Sequence, residues 1–502
     1  MQATPEQAAI CASGAHVLKI RAGAGTGKTT TLRGLAARYP RQRMLYLAFN
    51  KAIKEDAQSK FGSHVKAMTG HGLAFARVGR DYAAVPNKLL SGDLKPFHVL
   101  KEIRGSLSSI PPGLHNLYGG RVIETLKRFL VSAEDELDAT HVSLAASPGE
   151  KKHFSPEAIL KDAASLLDKM ADLEHPLPIP HDGYLKLFQL EHPRLPYDTI
   201  LLDEAQDTNP VLQAMVDEQA GRRVYVGDEH QAIYGFRGAR NAMSLLQADE
   251  THLLTGSFRF GAAVAEVANA LLAAKGEQTL RLRGLGPAST VGPVDPDQPH
   301  TFLARGNSAL FGRAVQALHK SQSFAFVGPL YNYRFDLIEQ THSLSVGKAV
   351  TDPFLKAFED FDQLEEYAKA MDDREIIGRC KLVTKYGSRL PGLVAQIQAQ
   401  AGSYPGPGRP HVILASAHRA KGLEFDRVVM ADDFADFYDE NKNEWRNFAL
   451  ATPAEQEEVN LQYVAATRAR TSLEVGAKLE KFLQHQRVLA QSALPAAPMR
   501  SP

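Results

Sequence analysis

AGAGTGKTT, residues 22–30, sits between the alternating apolar run HVLKIRA (His16–Ala22) and the helical pattern TTLRGLAARY. A glycine-rich turn from strand to helix points backbone N–H groups inward, and the helix N-terminus adds positive potential, which together cradle a triphosphate. In such a cradle Gly23, Gly25 and Gly27 let the backbone approach the phosphates, and Lys28 reaches the β and γ oxygens. The Thr29 hydroxyl ligates Mg²⁺, and Thr30 follows in the first helical turn. The strict pattern has Gly where this chain has Ala22. An ordinary strand–helix turn is the competing reading, and the flanking strand and helix weigh against it.

Working outward, MLYLAF (Met44–Phe49) is an apolar run of the buried-strand type, so strand, glycine turn, helix and strand open an α/β unit with a parallel sheet. DTILLDEAQD (Asp198–Asp207) and RRVYVGDEHQ (Arg223–Gln231) read as two more buried strands that end in polar residues. Ligands of such sheets sit at the carboxyl ends of the strands. Asp203 is placed there to hold Mg²⁺ through water, and Glu204 to act as general base on the attacking water. A solvated strand end is the plain alternative for two such acids, and the phosphate loop ahead of them decides against it. Gln206 and Gln231 are candidate γ-phosphate sensors.

From Val78 to His192 helical periodicity dominates, as in GRVIETLKRFLVSAEDEL, which predicts a helical insertion. GLGPASTVGPVDPDQPH (Gly284–His300) reads as a surface loop. A second strand series follows at TFLARGN, FAFVG, PHVILASAH and DRVVMADDF, split by helical patterns between Asp352 and Ala401. The expected boundaries are 1–77 and 193–255 for the first domain around an insertion 78–192. The second domain is expected at 256–312 and 410–485 around a compact insertion 313–409, with a disordered tail 486–502.

The 502 residues carry 58 Lys plus Arg against 57 Asp plus Glu, so bulk charge does not drive nucleic-acid binding, whereas a local basic channel remains open. Cys11 and Cys380 support no disulfide framework and fit a reducing compartment. No apolar run suits a membrane span and MQATPEQAAI lacks signal-peptide character, so a soluble cytoplasmic protein is expected, or a nuclear one in a eukaryote. His64, His71, His418 and the cysteines show no ligand spacing for a transition metal. Arg237, Arg259 and Arg468 follow turn-like segments and are candidates for an arginine finger, against the plain reading of surface ion pairs. Phe49, Tyr234, Phe236 and Phe258 are placed to stack on bases, with core packing as the alternative. His71 and His418 read as donors to a phosphodiester or as internally satisfied histidines.

As an ordered series, from TPEQ to about Val475, these segments resemble the superfamily 1 helicases of the UvrD/Rep type. They are most similar to the helicase region of F-box DNA helicases, through HDGYLKLFQL, VGDEHQAIYGFRGA, LLTGSFRFG and FLARGNSALF. The resemblance implies an α/β fold of two RecA-like P-loop NTPase domains with parallel sheets, each with a mostly helical insertion. It implies that Gln7 reads the adenine edge, Phe258 stacks on adenine and Glu424 binds the ribose. It makes Arg259 a γ-phosphate contact and Arg468, in EEVNLQYVAATRAR, the arginine finger. LAFNKA (Phe49, Asn50) and TGHGLAF (Thr69, His71) become single-strand contact motifs, joined by Tyr234, Phe236, Arg237 and His418. Phe236 stands where UvrD-type proteins often carry Trp, which implies a weaker stack of the same kind. No F-box precedes TPEQ, so a ubiquitin-ligase role is not expected.

The resulting expectation is a monomeric, ATP- and Mg²⁺-dependent 3′–5′ DNA helicase in repair or recombination control. It would act on single strands and single/double-strand junctions, with recombination or repair proteins as partners. A translocase that strips proteins from single strands without efficient unwinding is one alternative. A nucleotide-switched binding module is another, opposed by the intact set Glu204, Gln231, Arg259 and Arg468.

Overall fold

A computed structural model describes residues 3–144, 148–233, 235, 243, 246–370 and 373–492. The chain divides into two compact units, Met1–Ala22 with Gly27–Leu254, and Gly23–Thr26 with Thr255–Pro502. Each is built on a parallel sheet, the arrangement of two RecA-like domains.

The first unit contains β1 (Val17–Ala22), β2 (Met44–Ala48), β3 (Val65–Thr69), β4 (Thr199–Leu202), β5 (Arg222–Gly227) and β6 (Glu250–Leu254). Among the described residues these form one six-stranded sheet in the order β3-β2-β4-β5-β1-β6, all parallel. β2 and β4 are buried along their whole length, which is why they read as unbroken apolar runs. β5 lies between β1 and β4, so its carboxyl end falls between theirs. β3 and β6, at the edges, carry polar residues and short runs that hide them from a sequence reading.

Between β3 and β4 the described regular elements are helices, chiefly His115–Leu130, Pro156–Ala171 and His181–Leu190. Tyr118, Val122, Leu126 and Phe129 of the first pack with Ile159, Leu166 and Met170 of the second and Leu185 and Phe188 of the third. The expected boundary at 77/78 falls inside one helical run, Gly70–Ala74, Phe75–Gly79 and Arg80–Ala84, whose middle turn is a π-helix. The helical segment therefore grows out of the end of β3 without a linker. Two lysines are buried here, against the usual rule. Lys88 donates to the carbonyls of Lys169 (3.2 Å), His175 (2.8 Å) and Leu177 (2.9 Å), one for each ammonium proton.

Lys186 is the second, fully buried, with its ammonium donating to the Ser132 carbonyl at 3.2 Å and to that of Glu134. Burial pushes it down to about 8, with Asp135 and Glu134 opposing. The folded state then binds fewer protons than the unfolded chain from about pH 8 up to the ordinary lysine value. Stability contributed by this group is therefore gained, not lost, as pH rises through that window. Urea unfolding at pH 7.5 and pH 10 should show a gain in wild type that Lys186→Met lacks; equal pH dependence in both would mean that Lys186 titrates normally.

The second unit contains β7 (Gly256–Ser257), β8 (Arg283–Gly284), β9 (Thr290–Val291), β10 (His300–Ala304), β11 (Phe324–Val327), β12 (Gly402–Tyr404), β13 (Val412–Ser416), β14 (Phe425–Met430), β15 (Tyr438–Asp439), β16 (Glu444–Trp445) and β17 (Ala469–Glu474). Among the described residues its main sheet runs β12-β11-β13-β10-β14-β17-β9, again parallel.

Three expectations are corrected here. The stretch Gly284–His300 is not only a loop, because β9 within it pairs with β17 as the sheet edge; two paired residues leave no periodic pattern to read. The insertion expected at 313–409 is too wide, since β11 and β12 inside it are strands of the main sheet. Only residues 329–401 leave the sheet, as the helices Phe335–Ser345, Phe361–Ala370, Arg374–Tyr386 and Leu390–Gln400. The tail expected from 486 is helical to Ser492, in a helix Ala477–Ser492 whose Leu479, Phe482 and Leu483 are buried. No helix among the described residues is long and apolar enough to cross a membrane.

Candidate functional site

The phosphate loop depends on two left-handed glycines. Gly25 has φ +73° and Gly27 φ +79°, where an L side chain is strained, and Gly27 caps the helix Lys28–Arg38. Lys28, on the first turn of that helix, reaches back to Glu204, with Nζ 3.0 Å from Oε1 and 3.1 Å from Oε2. Burial alone would lower the Lys28 ammonium, but Glu204, Asp203 and Asp228 outweigh it and hold it above its ordinary value. Asp203 is buried at the end of β4. Burial and the neighbouring Glu204 push its carboxyl well above the usual range, against the pull of Lys28.

Three donors converge on Asp203. The Tyr46 hydroxyl lies 2.5 Å from Oδ2, the Thr29 hydroxyl 3.4 Å from the same oxygen, and the Glu204 N–H 2.9 Å from Oδ1. A hydroxyl beside a carboxylate that is costly to ionise is a donor set suited to a hard divalent cation, so Thr29 and Asp203 fit Mg²⁺. Glu204 itself is left-handed, at φ +52°. Tyr46 was not legible as a site residue, because inside the run MLYLAF it reads as core.

Behind these acids lies a second polar layer. Gln206, 1% exposed, accepts from the Asp228 N–H at 3.0 Å and donates to Glu204 at 2.6 Å and Asp207 at 3.1 Å. Gln206, expected as a γ-phosphate sensor, thus has both ends of its amide bonded to neighbouring residues. Gln231 donates to Asp228 at 2.6 Å. Asp228 had a signal that went unread, an acid closing an apolar strand as Asp203 does.

Gln7 belongs to a capping box. Its side-chain carbonyl accepts from the Thr4 N–H at 3.0 Å while the Thr4 hydroxyl accepts from the Gln7 N–H at 3.2 Å. TPEQ thus also carries the T-x-x-Q pattern of a helix start.

In the second unit Arg259 Nε donates to Glu424 at 3.0 Å and Nη1 to the Thr467 carbonyl at 3.0 Å. Arg259 and Glu424, expected at the γ-phosphate and the ribose, are therefore ion-paired to each other here. Phe258 is half-buried beside Arg259. Arg468 is 1% exposed, and its guanidinium donates to the carbonyls of Val464 (2.9 Å) and Leu423 (3.1 Å) and to the Thr467 hydroxyl (3.2 Å). This arginine holds its own unit together, which nothing in EEVNLQYVAATRAR signalled.

Of the expected strand contacts in the first unit, Phe49 is 42% exposed at the end of β2. Asn50 and Thr69 are N-caps, accepting from the N–H groups of Ile53 and Gly72. Their side-chain oxygens are thereby occupied, a structural use that sequence reading passed over. His71 Nε2 meets Asp182 Oδ1 at 2.9 Å, which brings the HDGYLKLFQL segment to TGHGLAF. Phe49, His71, Asp203, Asp207 and Thr208 line one small cavity of about 100 Å³, so two of the expected strand-contact residues share a wall with Asp203. His418 lies in the short helix Ala417–Ala420 after β13. Tyr234, Phe236 and Arg237 lie outside the described residues.

Residues 6–237 match the family described as an AAA domain, and residues 352–478 the UvrD-like helicase C-terminal domain. F-box DNA helicase 1 of Gallus gallus is 33% identical over 497 residues, covering 93% of this chain and 48% of that protein. F-box DNA helicase protein 1 of Schizosaccharomyces pombe is 32% identical, covering 91% and 55%. DNA helicase IV of Escherichia coli is 26% identical over 540 residues, covering 93% and 67%. The chain spans about half the length of the two F-box relatives. A phosphate loop and acid pair at the end of one parallel sheet, a second unit with its own parallel sheet that contains Arg259 and Arg468, and these matches along the chain agree: the protein belongs to the UvrD-like helicase family.

Proposed function

We propose that this chain is the motor of an ATP-dependent DNA helicase that moves on single-stranded DNA. The observation that carries the proposal is the convergence of Lys28, Thr29, Asp203 and Glu204 at the carboxyl edge of one sheet, where Asp203 shares a cavity wall with Phe49 and His71. Thr29 and Asp203 would hold Mg²⁺, which when bound neutralises charge on the phosphoryl group being transferred. Lys28 exchanges Glu204 for the β and γ phosphate oxygens of ATP, and Glu204 is then free to take a proton from the attacking water. Gln231 senses the γ-phosphate. Arg259 and Arg468, of the second unit, turn to the phosphates to stabilise transition-state charge, while Gln7, Phe258 and Glu424 hold the adenosine. Gly23, Gly25, Gly27 and Thr30 complete the phosphate cradle.

Phe49 and His71 form part of the strand-binding surface, joined by Tyr234, Phe236, Arg237 and His418. A 3′–5′ direction and a repair or recombination role follow from the resemblance to UvrD/Rep-type proteins. Phe49→Ala should weaken single-strand binding by about tenfold, as loss of one base stack does, with ATPase in the absence of DNA unchanged. Fluorescence anisotropy on a labelled oligonucleotide checks it; full affinity would make Phe49 a surface side chain.

ATPase with and without single-stranded DNA, together with unwinding of 3′- and 5′-tailed duplexes, tests the whole proposal. Stimulated ATPase with 3′-tail unwinding is the expected result. Stimulated ATPase with protein displacement but no unwinding would favour the stripping translocase, and absence of DNA stimulation would defeat the motor.

A further inference from the structure

We infer that Gln206 is a positioning residue for Glu204, tying the general base to Asp228 at the end of β5. The inference rests on the proposed role of Glu204 as base. Its first support is the fixed sense of the Gln206 amide. The Asp228 N–H, 3.0 Å away, can only meet a carbonyl oxygen, and the carboxylates of Glu204 (2.6 Å) and Asp207 (3.1 Å) can only accept. All three partners demand the same orientation, and at 1% exposure the side chain has no water to turn to.

The second support is the room made for it. A Cβ on Gly227 would sit 2.4 Å from Gln206 Oε1, so the carbonyl fits only because residue 227 is glycine. Gly227 is not in the left-handed region, so the requirement there is close approach rather than backbone freedom.

The third is the conformation of Glu204. At φ +52° and ψ +43° its backbone is in a region that costs a residue with a Cβ, and such a geometry persists when neighbours over-determine it. Lys28 is one of those neighbours, but in the proposed reaction it leaves for the phosphates. The Gln206 hydrogen bond stays behind to hold the carboxylate in that orientation. Asp228 also accepts from Gln231 at 2.6 Å, so a chain Gln231–Asp228–Gln206–Glu204 joins the candidate γ-phosphate sensor to the base. Each link is a charge-assisted hydrogen bond or a backbone N–H, and low dielectric strengthens such a chain.

The test is Gln206→Met, which keeps the volume and removes both bonding functions, in wild-type and Glu204→Gln backgrounds of the full chain. Steady-state ATPase with saturating single-stranded DNA, nucleotide affinity and thermal unfolding are measured. Loss of a hydrogen bond to a charged group should lower kcat by about tenfold or more while the KM for ATP stays within about threefold. In the Glu204→Gln background the same change should cost less than about twofold, because Gln206 acts only through the carboxylate. Equal losses in both backgrounds, or wild-type kcat in Gln206→Met, would overturn the inference. If Gln206→Met does not fold, Gly227→Ala carries the test, since it leaves Gln206 in place and displaces its carbonyl; it should show the same split of kcat from KM, and wild-type kcat there would equally overturn the inference. Wild-type turnover in Glu204→Gln alone would instead remove Glu204 as the base, a failure distinct from that of Gln206.

Discussion

Lys28→Ala should hydrolyse ATP at less than about a hundredth of the wild-type rate, because preorganised charge at the transferring phosphate supplies a factor of this order. The structure adds a second consequence. Lys28 lies among Glu204, Asp203 and Asp228, and its charge is what offsets theirs. Without it, the buried Asp203 carboxyl, already held above its usual range, has less to pair with, so its folded-state value rises further above the unfolded one. Stability contributed by groups with raised values is present below the unfolded value and lost as pH rises through the folded one. The variant should therefore unfold more easily than wild type at pH 7, and the difference should narrow toward pH 5. Turnover above about a tenth of wild type would defeat the phosphate-loop assignment. A stability difference independent of pH would show that Lys28 does not compensate these acids.

Arg468→Ala should lose about a thousandfold in turnover if Arg468 reaches the γ-phosphate, the lower end of what arginine fingers contribute. Its burial divides the outcome in two. The guanidinium satisfies the Val464 and Leu423 carbonyls and the Thr467 hydroxyl, and alanine would leave these groups without that donor. A buried unsatisfied acceptor costs about 1–3 kcal/mol, so the melting temperature should fall as well. Turnover and ATP affinity are to be measured well below that temperature, with thermal unfolding recorded in parallel. A rate loss with near-normal nucleotide binding assigns Arg468 to the transition state. A lowered melting temperature with wild-type turnover would make it structural in the second unit and leave Arg259 as the arginine to test.

The parts legible in the sequence are those where local pattern and chemistry coincide. The glycine turn before Lys28 can be read because positive φ and close phosphate approach restrict the residue type, and the structure has Gly25 and Gly27 left-handed. β2 and β4 can be read because burial on both faces makes their sequences apolar runs, and β5 because its buried end VYVG runs into polar residues. β9, two residues long at a sheet edge, leaves no such signal, and neither does the return of the chain to the main sheet at β12. The second insertion is narrower than expected for that reason: β11 and its partner β13 show in the sequence, but β12, its other partner, does not.

Among the candidate site residues, Lys28, Thr29, Asp203 and Glu204 can be picked out from sequence alone, because the chemistry proposed for them depends on residue type at a fixed distance from a strand end. Which groups support them was decided only by tertiary structure. Tyr46 on β2 reaches Asp203, and Asp182 reaches His71 across 111 positions of chain. Gln206 receives the Asp228 N–H because β5 runs beside β4. Hydrogen bonds between residues far apart in sequence depend on strand order and register, and these follow from the packing of the whole sheet rather than from any segment's own pattern.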